Sequence, residues 1–143
     1  MVQRLDSILP NDRLLTPDGG HFNNWILDGI TIPSPADYHQ AGIDFGSIGI
    51  GIPTGLGAAM TTKTQTPIIF CGDAGLMLTL QEIETAARKE IPVIMIVMND
   101  DALGSEYYAI GNTVATRRPR SSTPPTSPRW PRPSAPKATP SDR

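Results

Sequence analysis

A single cysteine stands among the 143 residues of this chain, which rules out an intramolecular disulfide. Cys71 lies in the apolar run Pro67-Ile68-Ile69-Phe70-Cys71, where a buried structural thiol is expected rather than a nucleophile. Long apolar stretches are lacking too. The start, MVQRLDSILP, is too short and too polar for a signal or membrane helix, which points to a soluble cytoplasmic protein without a membrane partner. Aliphatic side chains are nearly missing from 117–143, a segment that holds 8 of the 15 prolines. Such a stretch cannot offset its ordering entropy by burial, so a disordered tail is expected there.

Charge is as uneven as proline. Residues 1–116 carry 5 Lys/Arg against 13 Asp/Glu and 117–143 carry 7 against 1, so formal charges of −8 and +6 lie behind the overall −2. A basic tail can attract phosphate. A low-complexity extension without a specific partner is the simpler reading, and no nucleic-acid partner is expected. The tail also admits another origin. Thr126 to Asp142 can be encoded so that a one-base shift reads DFAALAEAFGAKGYTVR, which has helical periodicity and a Gly-terminated end. The organisation expected is a folded part at 1–116 and a Pro/Ser/Arg-rich tail at 117–143, with a frameshift as one hypothesis for the tail.

Within the folded part, residues 2–8 suit a short helix, and Arg13–Thr16 a brief strand running into the turn Pro17-Asp18-Gly19-Gly20. A loop is expected from there to about residue 42. Gly46–Ala59 is apolar and dense in glycine, which suggests a buried helix packed closely on a sheet. The glycines cost roughly 1 kcal/mol each against alanine, so they need a packing or ligand reason. Pro67–Cys71 and Val93–Met98 are continuous apolar runs of strand length, both expected to be fully buried. Between them Thr79–Glu90 suits a helix, with Leu80, Ile83, Ala86 and Ala87 on one stripe and a capping box from Thr79 to Glu82. Strand, helix and strand at this spacing form a right-handed βαβ unit, so the fold class is α/β, a parallel sheet with flanking helices.

In parallel sheets, ligands bind beyond the carboxyl ends of the strands. That rule selects Gly72-Asp73-Ala74-Gly75 and Asn99-Asp100-Asp101-Ala102. Asp73 and Asp100, 27 positions apart, can then face one small ion. Hard oxygen donors with room for phosphate and water suit Mg²⁺ better than Zn²⁺. Glycines beside Asp73 allow backbone amides near a phosphate, and a helix start nearby adds a favourable dipole. A single aspartate after a strand could equally be a turn or cap residue.

The whole stretch GDAGLMLTLQEIETAARKEIPVIMIVMND resembles the cofactor motif of the acetolactate synthase and pyruvate decarboxylase superfamily of thiamine diphosphate enzymes. Asp18-Gly19-Gly20-His21-Phe22 and Phe45-Gly46-Ser47-Ile48-Gly49 are similar to the family's other cofactor segments, so the likeness covers roughly 3–112. The resemblance implies Mg²⁺ bound by the side chains of Asp73 and Asp100 and the carbonyl of Ala102. Gly72, Ala74 and Gly75 would touch the diphosphate, and Leu103 and Gly104 would line its far side. The Gly46 carbonyl, with Ser47 beside it, would meet the aminopyrimidine, and Ile48 would wedge the two rings. His21 and Glu106 are the candidate catalytic residues, toward a 2-oxo acid substrate. Ile48 could instead be plain core, His21 a packed turn residue and Glu106 a solvated helix residue.

Two departures qualify the resemblance. Asp100 stands where the family usually has Asn, which adds a negative charge beside a diphosphate. The family's activating glutamate belongs to a separate pyrimidine-binding domain that nothing in these residues resembles. That domain would act in trans, in a homo- or hetero-oligomer, and the end of the cofactor domain itself is expected to be incomplete. Catalysis by the isolated chain is therefore not expected, and a non-catalytic remnant or binding module is the competing reading. A nicotinamide-binding unit fails on its motif, because Gly49, Gly51 and Gly55 are spaced G-x-G-x-x-x-G without a convincing strand before them.

Overall fold

The computed structural model describes residues 1–40, 42 and 44–114, so the expectations for the tail at 117–143 lie outside the described residues. The elements run α1 (Val2–Asp6), β1 (Arg13–Pro17), α2 (Asn23–Gly29), a 3-10 turn (Pro35–Asp37), α3 (Gly51–Thr61), β2 (Thr66–Gly72), α4 (Asp73–Leu78), α5 (Glu82–Arg88), β3 (Ile94–Met98) and α6 (Gly104–Val114). The strands form a parallel sheet in the order β1-β2-β3. The α/β class with flanking helices is thus observed. No helix among the described residues is long and apolar enough to cross a membrane.

β2 is the central strand, which explains its continuous apolar run. Alternation sends Ile68 and Phe70 to one face, with Leu15, Phe22, Ile26 and Ile30, and Ile69 and Cys71 to the other, with Ile52 and Leu56. Burying each such large side chain contributes about 1.5–3 kcal/mol, enough to outweigh the roughly 1 kcal/mol cost of each glycine in α3. Two of those glycines have the packing reason that the composition demands. A Cβ on Gly51 would lie 2.6 Å from Asp18 Cα, and one on Gly55 would lie 2.6 Å from Thr16 Oγ1.

Several elements differ from the expectation. The helix does not begin at Gly46: Gly46 and Gly49 have φ of +60° and +89°, outside the helical region, and α3 starts at Gly51. The loop expected up to residue 42 contains α2 and a 3-10 turn, because Phe22, Ile26 and Ile30 recur at helical spacing and enter the core. The helix expected at Thr79–Glu90 is two short helices. Thr79 ends α4, and its hydroxyl donates back to the Gly75 carbonyl at 3.4 Å, so the capping box does not form and α5 has no side-chain cap. Leu80 and Ile83 are exposed, and of that stripe Ala86 packs on the core. β3 is half-buried rather than fully buried, since it pairs with β2 on one side and has no second neighbour among the described residues.

Candidate functional site

Register builds the site. Pro17 lies opposite Phe70 and Gly72 opposite Met98, so the chain leaves all three strands at one end of the sheet, at Asp18, Asp73 and Asn99. A cavity of about 610 Å³ opens there. It brings together His21, Ile48, Gly72, Ala74, Gly75, Asp100, Ala102, Leu103, Gly104 and Glu106 from the expected set. Asp73, between the lining residues Gly72 and Ala74, does not itself line it, and neither do Gly46 and Ser47. The latter two line an adjoining hollow of about 290 Å³ that shares Ile48, His21 and Glu106 with the cavity.

Asp73 is the first residue of α4, and its Oδ1 is buried without a hydrogen-bond partner. Such an atom is costly unless something compensates it. Asp100 stands across the strand ends, with Oδ1 accepting from the Ala102 N–H at 3.3 Å and Oδ2 3.5 Å from His21 Nε2. Asp101, with φ of +58°, turns the chain between them and α6. Gly104 is needed where it stands, because a Cβ there would run into the His21 ring and the Asp100 carboxylate. Glu106 is exposed in the first turn of α6, at the rim.

Among the described residues no three His, Cys, Asp or Glu side chains converge as a metal cage. The donors present, an orphaned Asp73 oxygen and the partly exposed Asp100 carboxylate, fit Mg²⁺, which is commonly held by one or two carboxylates with phosphate and water completing its shell. Sequence reasoning missed the apolar wall made by Phe22, Trp25 and Met98. It also missed the aromatic contacts of His21, edge-on to Trp25 at 5.3 Å and to Tyr108 at 5.8 Å. The spacing His21-Phe22-Trp25 at the start of α2 is the signal that would have found the wall, once that stretch is taken as a helix.

Comparison with known proteins agrees with this arrangement. The family model described as thiamine pyrophosphate enzyme, C-terminal TPP binding domain, matches residues 18–134. The chain is 28% identical over 122 residues to the acetolactate synthase isozyme 1 large subunit of Escherichia coli (strain K12), covering 81% of this chain and 22% of that one. It is 34% identical over 99 residues to 2-hydroxyacyl-CoA lyase 2 of Caenorhabditis elegans, covering 69% and 15%. Among solved structures, the thiamine diphosphate-dependent 4-hydroxybenzoylformate decarboxylase of Rhodococcus jostii RHA1 shares the fold, with a TM-score of 0.72 at 18% identity over 84% of this chain and 22% of that one. The chain thus spans about a fifth of the length of the acetolactate synthase large subunits it matches in Escherichia coli. With the match covering most of its residues, this chain belongs to the thiamine diphosphate enzymes of the acetolactate synthase and pyruvate decarboxylase superfamily, as their C-terminal cofactor-binding domain.

Proposed function

We propose that the chain holds Mg²⁺ and the diphosphate of thiamine diphosphate, as the cofactor-binding part of an acetolactate synthase-like 2-oxo acid decarboxylase or carboligase. The observation that carries this reading is the unpartnered, buried Asp73 oxygen, carried between the cavity-lining residues Gly72 and Ala74 at the end of the central parallel strand. Asp73 and Asp100, with the Ala102 carbonyl, would hold the metal. Gly72, Ala74 and Gly75 would receive the diphosphate, with Leu103 and Gly104 opposite. Gly46, Ser47 and Ile48, which line the adjoining hollow, would seat the rings.

Bound there, the cofactor supplies the electron sink for cleavage next to a carbonyl. The protein positions it, and His21 and Glu106 stand at the shared rim of both hollows, where a proton on a bound 2-oxo acid could be held or delivered. A pyrimidine-binding domain, in trans or in an oligomer, would complete the site. A second reading is binding without turnover, as a non-catalytic module of such an enzyme.

Calorimetry of thiamine diphosphate with the full chain tests the proposal. Saturable binding that needs Mg²⁺ and is lost in Asp73→Ala is the expected result. No binding even with a co-expressed pyrimidine domain would sink it. Turnover in that mixture separates the enzyme from the non-catalytic module.

A further inference from the structure

Asp18 is a fully buried carboxylate to which the site as described gives no task. No basic side chain among the described residues forms an ion pair with it. Backbone amides meet its charge instead. The Gly49 N–H donates toward both oxygens, at 3.0 and 2.8 Å, and the Gly51 N–H donates to Oδ1 at 3.0 Å. The residue is itself anchored to the sheet. Its N–H donates to the Phe70 carbonyl at 2.7 Å, and its carbonyl accepts from Asn23 Nδ2 at 2.7 Å. Gly75 lies so close that a Cβ there would collide with Asp18 Oδ2. One side chain fixed at the end of β1 thereby meets both the Gly46–Gly51 segment and the first turn of α4.

Before Ile48 the chain is shaped by two backbone bonds, from the Phe45 and Ser47 N–H groups to the Gly42 carbonyl at 3.1 and 3.0 Å, whereas the hydrogen bonds that hold Gly49 and Gly51 to the end of β1 come from Asp18. Gly46 has open space around it, Phe45 is 92% exposed, and Gly46 and Gly49 adopt positive φ. Ile48, immediately before the clamped Gly49, borders both hollows. We infer that Asp18 is a positioning residue: by accepting from Gly49 and Gly51 it presets the loop that offers Gly46 and Ile48 to the cofactor's rings, apart from the Asp73–Asp100 pair that faces the diphosphate. The identity of the ligand rests on the proposed function; the clamp does not.

Asp18→Asn keeps the volume and spoils the clamp. An amide nitrogen in the place of Oδ2 opposes the Gly49 N–H, and in the flipped orientation it opposes the Gly49 and Gly51 N–H groups together. In the full chain without ligand, hydrogen exchange at the Gly49 and Gly51 amides should speed up by roughly tenfold or more, while amides of β2 and β3 stay within about twofold. Unchanged exchange at those glycines would overturn the inference, and so would an equal loss across the sheet. Should Asp18→Asn fail to fold, Asp18→Ser, which keeps a hydroxyl acceptor without the opposed amide, carries the same test. With ligand, affinity for Mg²⁺-thiamine diphosphate should fall about tenfold and affinity for Mg²⁺-pyrophosphate by less than about twofold. A purely structural role would weaken both alike, which would also overturn the inference. If the wild-type chain binds neither ligand, the cofactor reading fails while the exchange experiment still decides the clamp.

Discussion

Cys71 lies on the central strand one residue before its end at Gly72, and its surroundings keep it neutral. Burial first, then the nearby charges of Asp18 and Asp73, push its thiol from 9.0 to about 12. At pH 8 the native chain should react with iodoacetamide at least about tenfold more slowly than the unfolded chain, since its thiol is both held protonated and fully buried. Rapid labelling of the folded protein would contradict this. The sign for stability follows: between about 9 and 12 the unfolded thiol gives up its proton before the folded one does, so stability falls as pH rises there. Asp6 acts in the opposite sense. The Thr31 N–H, the Thr31 hydroxyl and Arg13 hold its carboxyl below 3.8 against some desolvation, so its stabilisation is full above that value and is lost as pH falls through the folded one. Asp6→Asn should flatten the acid limb of the stability curve, by a small amount because Asp6 remains largely solvated. The residues after β2 and β3 are legible in the sequence, because short apolar runs mark where those strands end. The role of Asp18 is not, since its partners Gly49 and Gly51 lie 31 and 33 positions away.

At the level of elements, α3 shows why a glycine-rich helix can be read for its existence but not for its start. Its core face, Ile52, Gly55, Leu56 and Ala59, has the helical period, whereas the left-handed glycines before it look the same in sequence as the helical ones. β3 is visible in the sequence as a strand, but its half exposure depends on having a neighbour on one side only among the described residues. The short helices α4 and α5 have no visible boundary in the sequence, because Thr79 leaves the helical conformation, at φ −132° and ψ 31°, with no glycine or proline to mark the break. Two glycines of α3 separate packing from propensity. A Cβ on Gly57 would meet nothing within 4 Å, so Gly57→Ala should raise stability by about 0.5–1 kcal/mol. Gly55 is pressed against the Ile69 side chain and Thr16 Oγ1, so Gly55→Ala should cost about 1–3 kcal/mol through overpacking despite its helix preference. Urea unfolding of the two variants tests the pair, and equal shifts would contradict the close approach of α3 to the sheet.

For the molecule as a whole, the surface beside the sheet is more apolar than a covered fold needs. Met77, Leu78, Leu80 and Ile83 are exposed along α4, α5 and the turn between them, and Val97 is exposed on β3. A strand without a second neighbour among the described residues and an apolar surface next to it invite association. The shifted reading of Thr126–Asp142, DFAALAEAFGAKGYTVR, has the apolar helical stripe and following β-prone residues that could cover such surface, which the proline-rich sequence as it stands lacks. We therefore propose that the tail arose by a change of frame. Sequencing the gene between codons 110 and 126, in this isolate and a relative, should reveal a one-base difference, and an uninterrupted frame in both would count against the idea. The physical counterpart is independent of the gene. A chain carrying the shifted residues in place of 126–142 should bind less hydrophobic dye and melt at a higher temperature than the chain as it stands. Unchanged dye binding and an unchanged melt would mean that those residues do not cover the exposed apolar surface.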